Sequence, residues 1–467
     1  MNNFFPLIIH TYCRIIILLV GSTCMATAQQ AEQNLPDKTR ILFMFDASGS
    51  MLAPWENTLR IHVAKKLLSD MVDSLKVNES LELALRVYGH QFDQRFRRCD
   101  DSKLEVPFHK NNHDAIIQKI RQIKPQGNTP IAYSLEQSAN DFPSQSGYRN
   151  ILIMITDGIE SCDGDPCAVS RALQQKNIFL KPFVIGIGMD KKFEDAFGCM
   201  GTFYDASDIN TFKKALTDAI QISLDKTTVS VELQDDRGLS TETDVNVTFI
   251  NNVTGQAMFD FVHYLDSKGR PDSVEVETVL TYDVQVNTIP PVVRKNVRFE
   301  SGQHNVLKIK SPRGLLRIEM PGHTEYKEPV KAQVRDLQSG RLLTHFNIPG
   351  EVLLLTGHYR IEVLTLPVTI MPEVTISKDT PRNYKLNQPA VVNFVSSSTG
   401  VGSLYKMNAA GGQEWISDLN PKQLRQTLAM QPGDYKVVMR SEKAKGSKFT
   451  KVRNFSLKPG ASLTITF

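Results

Sequence analysis

No stretch of this 467-residue chain approaches the roughly 20 consecutive apolar residues that a helix needs to cross a bilayer, and the apolar run IIILLV at 15–20 is far shorter. Charge of one sign is missing too. The chain holds 54 Lys+Arg against 50 Asp+Glu, a formal +4, so electrostatics give no case for a nucleic-acid partner. Low-complexity tracts are absent, and 27 Gly and 23 Pro beside 41% hydrophobic and 22% charged residues exclude collagen and disorder. What remains is globular. At roughly 150 residues per domain the length points to about three domains rather than one.

The first 28 residues read as a leader. Arg14 precedes the apolar run, and Ala26-Thr27-Ala28 before Gln29 supply the small residues of a cleavage site. The mature chain is therefore expected outside the cytoplasm, in the periplasm, at the surface or beyond it, with no transmembrane span. A lipid anchor would use Cys24, but Gly21-Ser22-Thr23 ahead of it fits a lipoprotein cleavage box poorly. Cleavage removes Cys13 and Cys24 and leaves Cys99, Cys162, Cys167 and Cys199, an even number in an oxidising compartment, so two disulfides are expected. The short spacing of Cys162 and Cys167 suggests a local bridge and leaves Cys99 for Cys199, although the sequence alone allows three pairings. Zinc is the weaker reading, because the four spacings are irregular and no pair of histidines stands nearby.

From 38 to 226 apolar runs alternate with helical periodicity. ILFMFD (41–46) and ILIMIT (151–156) are near-continuously hydrophobic, as strands buried on both faces are. Between and after them come strands at 81–89, near Val106, at 178–188 and at 202–206. Helices are expected near 55–75, 113–124, 130–141, 166–175 and 209–224. This alternation predicts a doubly wound α/β domain. Beyond 227 the pattern changes to period-two alternation with turn signals, which is all-β. It also repeats. Tyr282, Tyr359 and Tyr435 each open a similar strand at spacings of 77 and 76 residues, and GLLRIEM at 314 and AVVNFVS at 390 keep the 76-residue offset. We read three modules resembling small β-sandwiches, at 227–312, 313–388 and 389–467. No ligand constellation stands out in them, and spacers or adhesive modules are the plain reading.

The chemistry gathers in the first domain. Asp46-Ala47-Ser48-Gly49-Ser50 ends the first buried strand, Thr129 precedes Pro130, and Asp157 ends the ILIMIT strand. Each alone has a bland reading: short polar residues after a strand make turns and caps, Thr before Pro reads as an N-cap with Pro at the first helical position, and Asp-Gly reads as a turn. In a doubly wound sheet, however, ligands gather outside the carboxyl ends of the strands where strand order reverses. Asp46 and Asp157 end the two strands that should flank that crevice. With Ser48, Ser50 and Thr129 they form five hard oxygen donors without Cys or His. Such a set suits Mg2+ or Mn2+, which retain bound waters, better than a fully caged Ca2+.

In this order and setting, DASGS, GNTP and ITDG resemble the von Willebrand factor A domain and its metal-ion-dependent adhesion site. The resemblance covers about residues 38–226. It implies a divalent cation, Mg2+ first, held by Asp46, Ser48, Ser50, Thr129 and Asp157 directly or through water. It also implies an open coordination position, filled by an acidic side chain of a protein partner. In members that switch, exchange between water-mediated and direct contact shifts the last helix, here 209–224. ESCDGDPC and Gly89-His90 further resemble exported bacterial members, consistent with the Cys162–Cys167 bridge. The three β modules are a departure that the core motif does not predict.

Residues around these motifs take lesser parts. Glu160 could stand behind the ligands but reads better as a solvated loop residue. Asp163 and Asp165 lack the twelve-residue pattern of an EF-hand and read as turn and N-cap residues. His90 reads as structural, and the basic stretch 443–453 as a solvated hairpin rather than a contact for a surface polymer. Phe467 ends the chain on LTITF, but too few long alternating strands precede it for an outer-membrane barrel. An enzyme is disfavoured. A phosphoryl-accepting Asp46 would want an acidic residue where Ser48 stands, and DASGS is not the GxSxG of a nucleophile elbow. The expected function is thus a non-enzymatic, metal-dependent protein-binding module outside the cytoplasm. The alternative is a structural envelope component with a stabilising metal.

Overall fold

The computed structural model describes residues 38–467 apart from 146, 177, 180–183, 188–196, 198–199, 201–202 and 279. The leader at 1–28 with Cys24, and Cys199, therefore lie outside the described residues, as does much of the strand expected at 178–188. Among the described residues no helix is long and apolar enough to cross a membrane.

The first domain runs β1 (Lys38–Asp46), α1 (Arg60–Ser74), β2 (Leu81–Tyr88), β3 (Ser102–His109), α2 (His113–Gln122), α3 (Ile131–Ser138), β4 (Tyr148–Thr156), α4 (Pro166–Gln175), β5 (Ile178–Phe179), β6 (Val184–Ile187), β7 (Phe203–Ala206) and α5 (Ile209–Leu224). The sheet order is β3-β2-β1-β4-β6-β7, with β5 also on β4. Strand β1 pairs in parallel with both β2 and β4, and every residue from Thr39 to Asp46 is buried, which is why its sequence is apolar without alternation. Ile41, Phe43 and Phe45 pack with residues of α1, α2 and α5 on one face, while Leu42 and Met44 pack with residues of α3 and α4 on the other. Each such side chain contributes roughly 1.5–3 kcal/mol on burial. Strand β3 is antiparallel to β2 at the sheet edge. The first helix begins at Arg60 rather than near 55, because a small antiparallel pair, Pro54–Trp55 with Thr58–Leu59, occupies the approach.

Beyond α5 the chain forms three successive pairs of sheets, each pair from seven strands in the orders 4-1-7 and 3-2-5-6. Strand 1 is antiparallel to strand 4 and parallel to strand 7 every time. Each pair encloses its own apolar core. The repeated tyrosine has a physical cause. Tyr282, Tyr359 and Tyr435 open strand 5 with buried rings, and their hydroxyls donate to the carbonyls of Glu277 (2.8 Å), Leu355 (2.7 Å) and Gln431 (2.6 Å). This tyrosine corner pins the turn into the strand to the strand itself.

The first domain is joined to the β region by a buried ion pair. Arg149 on β4 donates through Nε (2.9 Å) and Nη2 (2.6 Å) to Glu277 Oε2, and through Nη1 to the Ser223 carbonyl at the end of α5 (2.9 Å). Lower down, Arg313 and Lys378 both pair with Glu242 across the first two sheet pairs.

Candidate metal centre

Strands β1 and β4 are neighbours, so their carboxyl ends place Asp46, Thr156 and Asp157 side by side. Asp46 Oδ1 accepts the Ser48 backbone N–H (2.7 Å), which turns the chain back over the strand end, and Oδ2 accepts the Thr156 hydroxyl (2.7 Å). Ser48 and Ser50 share a hydroxyl–hydroxyl bond of 2.9 Å, and Ser50 Oγ donates to Asp157 Oδ1 at 2.7 Å. Thr129 arrives on the loop before α3. That loop is stitched to the DASGS loop by a bridge between Ser48 and Gly127 and by the Gly49 N–H on the Gly127 carbonyl (2.9 Å). Ser48, Ser50 and Thr129 line one cavity of about 520 Å³. A Cβ added to Gly158 would lie 3.8 Å from Ser50 Oγ and 4.0 Å from Thr129 Oγ1, so those hydroxyls face one small space beside Asp157. Asp46, Ser48, Thr129 and Asp157 are buried and Ser50 is exposed, which opens the space to solvent on that side.

The bland readings of these residues fare worse. Ser48 stands at the N-cap of the 3-10 turn Gly49–Leu52 but makes no capping bond. Pro130, not Thr129, occupies the N-cap of α3, contrary to the cap reading of Thr-Pro. The Thr129 hydroxyl is thereby released from capping, while its backbone is held by Ser161 at both N–H (2.9 Å) and carbonyl (3.1 Å).

The electrostatics ask for a cation. Burial, and then the charge of Asp157, push the Asp46 carboxyl up to about 6. Tyr88 is buried on the neighbouring strand, and its phenol is pushed well up by burial and by Asp46. Two carboxylates and three hydroxyls are a hard-oxygen donor set that fits Mg2+ or Mn2+. Among the described residues no cluster of three or more His, Cys, Asp or Glu side chains is placed to hold a metal.

Two contributors, Thr156 and Arg60, carry no mark in the sequence, and Glu160 and Gly89 do more than their motifs suggest. Thr156 tethers Asp46 from β4. Arg60, at the start of α1, places Nη1 2.9 Å from Asp157 Oδ2. Glu160 is no solvated loop residue: its carboxylate accepts the N–H groups of Ala132 (2.6 Å) and Cys162 (2.8 Å), bracing the Thr129 loop against the Asp157 loop. Gly89, at φ 71°, lets the loop after β2 pass so close that an added Cβ would meet Asn128 O at 2.6 Å and Ser48 N at 2.8 Å. We expect Gly89→Ala to destabilise the domain by more than about 2 kcal/mol through a strained backbone and this clash, read by denaturant unfolding. An unchanged midpoint would count against this account of the loop.

Of the other residues, Asp165 caps α4 through the Ala168 N–H (3.0 Å), Asp163 sits in a left-handed turn, and His90 pairs with Glu105 (3.0 Å). Phe467 packs against the last β core. The disulfide expectation is corrected. Cys99 is bonded to Cys162, closing a separation of 63 residues, so neither Cys162–Cys167 nor Cys99–Cys199 forms. Cys167 is disulfide-bonded as well. Spacing misled because the loops after β2 and β4, distant in sequence, meet at the rim of this cavity, where both cysteines stand.

The family profile described as von Willebrand factor type A domain matches residues 41–219. The chain is similar to the uncharacterized protein YwmD of Bacillus subtilis (strain 168), 26% identical over 211 residues, which is 43% of this chain and 91% of that protein. It is also similar to the uncharacterized protein YwmC of the same organism, 27% identical over 181 residues, 38% of this chain and 77% of that one. Among solved structures, an aerotolerance-related membrane protein from Bacteroides fragilis NCTC 9343 aligns at 21% identity and a TM-score of 0.31, covering 39% of this chain and 98% of that one. Residues 41–219 of this chain are a von Willebrand factor type A domain, followed by all-β modules.

Proposed function

We propose that this chain is an exported, non-enzymatic protein-binding module. Its first domain holds one divalent cation, Mg2+ by preference, through Asp46, Ser48, Ser50, Thr129 and Asp157, and binds an acidic side chain of a partner protein there. The observation that supports the reading is that Ser48, Ser50 and Thr129 line one solvent-open crevice, with Asp46 and Asp157 buried at the adjoining strand ends and Ser50 bonded to Asp157. When bound, the dication supplies a coordination position for a carboxylate oxygen of the partner.

The chain's own residues set the charge at that position. Arg60 already offsets Asp157, so the protein side contributes a net single negative charge rather than two. A site of that charge leaves a dication under-neutralised and favours an anionic ligand. Leu52 and Ile159, each next to the ligand loops, are 47% and 45% exposed and offer apolar contact around the crevice, as a protein interface does. Ser50 donates to Asp157 rather than to a histidine, which speaks for binding rather than hydrolysis. A Cys99–Cys162 disulfide fits an oxidising compartment and supports export past the leader at 1–28. In this reading the modules at 227–312, 313–388 and 389–467 serve as a spacer or a second contact surface.

Arg60→Gln is expected to tighten Mg2+ binding about fivefold, by removing a competing cation worth about 1 kcal/mol, and to weaken binding of an acidic partner. Calorimetric titration with Mg2+ checks the first half. The function itself is tested by crosslinking capture from the native cell envelope with and without chelator. Partners lost with chelator and with Asp46→Asn, and regained with Mg2+, are expected; capture indifferent to both contradicts the proposal.

A further inference from the structure

Charge is not spread evenly along this nearly neutral chain. Residues 389–467 hold 11 Lys+Arg against 4 Asp+Glu, a net +7, which leaves the remainder of the chain at −3. None of those eleven cations forms an ion pair, whereas the preceding modules pair theirs repeatedly, as in Arg335–Glu362 and Arg317–Glu351.

The outer face of the four-stranded sheet in this last module gathers several of them with aromatic rings. On Gly433–Ser441 the buried Tyr435, Val437 and Met439 alternate with Lys436, Val438 and Arg440, which therefore point outward. The ladder sets Lys436 directly opposite Tyr405, and Tyr405 opposite Trp415, so ring, ring and ammonium form one row across three strands. Lys436 Nζ lies 5.7 Å from the Tyr405 ring centroid. Arg440 stands opposite Val401 in the same sheet. Trp415 is 58% exposed. Its indole N–H donates to Asp418 (3.1 Å), which also accepts the Ser403 hydroxyl (2.6 Å), and these bonds fix the ring's orientation. The sister modules lack the row: where Lys436 stands they have Asp283, and Arg360 tied to Glu362.

We propose that this face binds an acidic polysaccharide. The C–H faces of its sugar rings lie on Trp415 and Tyr405, and its carboxylates pair with Lys436 and Arg440. A flat π surface with a negative face attracts the polarised C–H bonds of a pyranose, and cations beside it that lack a carboxylate partner, Lys436 over the Tyr405 ring and Arg440 bonded to the Ala444 carbonyl (2.6 Å), select for anionic sugars. Single-stranded nucleic acid uses similar chemistry. The expected location outside the cytoplasm favours the glycan.

The test uses the full chain in chelator, so that the metal centre contributes nothing. Polygalacturonate is compared with dextran, polyglutamate, single-stranded oligothymidylate and phosphatidylglycerol vesicles by affinity electrophoresis and calorimetry. Polygalacturonate should bind at least tenfold more tightly than each of the others. Trp415→Ala and Lys436→Gln should each weaken it about tenfold, one good charge-assisted or stacking contact, without moving the melting temperature. Equal binding of polyglutamate, nucleic acid or vesicles, indifference to Trp415→Ala, or no binding of polygalacturonate overturns the proposal.

Discussion

In chelator, Asp46→Asn melts above the parent chain by the equivalent of about 3 kcal/mol, and it no longer responds to Mg2+. The carboxyl is buried beside Asp157, and its titration is raised from 3.8 to about 6. Each unit corresponds to about 1.4 kcal/mol, so ionised Asp46 costs the metal-free fold about 3 kcal/mol at neutral pH. An amide keeps the acceptor for the Ser48 N–H. Its NH2 can donate to the Thr156 hydroxyl, which is still able to donate to the Gly158 carbonyl (3.0 Å). The sign follows from linkage: a raised carboxyl pKa costs stability above it, and the cost fades as pH falls from about 6 to 3.8. The gap between variant and parent therefore closes on acidification. Thermal melts across that range in chelator check this. A variant less stable than its parent would show that the carboxylate is structural rather than reserved for a cation.

Arg149→Leu loses about 3–5 kcal/mol, because it breaks the ion pair of the fully buried Glu277 and removes the donor to the Ser223 carbonyl. The double variant Arg149→Leu/Glu277→Leu should regain most of that loss, since two apolar groups in place of a buried pair are close to neutral. Denaturant unfolding of the full chain, followed as a double-mutant cycle, separates the cases. A single variant as stable as its parent would mean that solvent reaches this junction and that α5 is not anchored to the β region through Arg149.

Much of this molecule is legible in the chain where the signal is local. Helices α4 and α5 begin where expected because Asp165 and Asp208 cap them with side-chain bonds to N–H groups two or three residues on. The repeating tyrosines are visible as a period, yet their purpose needs the carbonyl they reach four or five residues upstream. The five candidate oxygen donors can be read because each stands in a short motif just at or after a strand end or just ahead of a helix. Arg60 and Thr156 cannot. They reach their carboxylates across 97 and 110 residues, and nothing local marks an arginine at a helix start or a threonine at a strand end. The Cys99–Cys162 bond fails for the same reason, since pairing follows loop packing rather than spacing.

The central claim is that one dication is gripped by these five side chains. Electron paramagnetic resonance of Mn2+ added to the purified chain measures this directly. The expected result is one bound ion per chain, displaced by excess Mg2+ and lost in both Asp46→Asn and Asp157→Asn. Free Mn2+ throughout the titration, or a bound ion untouched by either substitution, contradicts it.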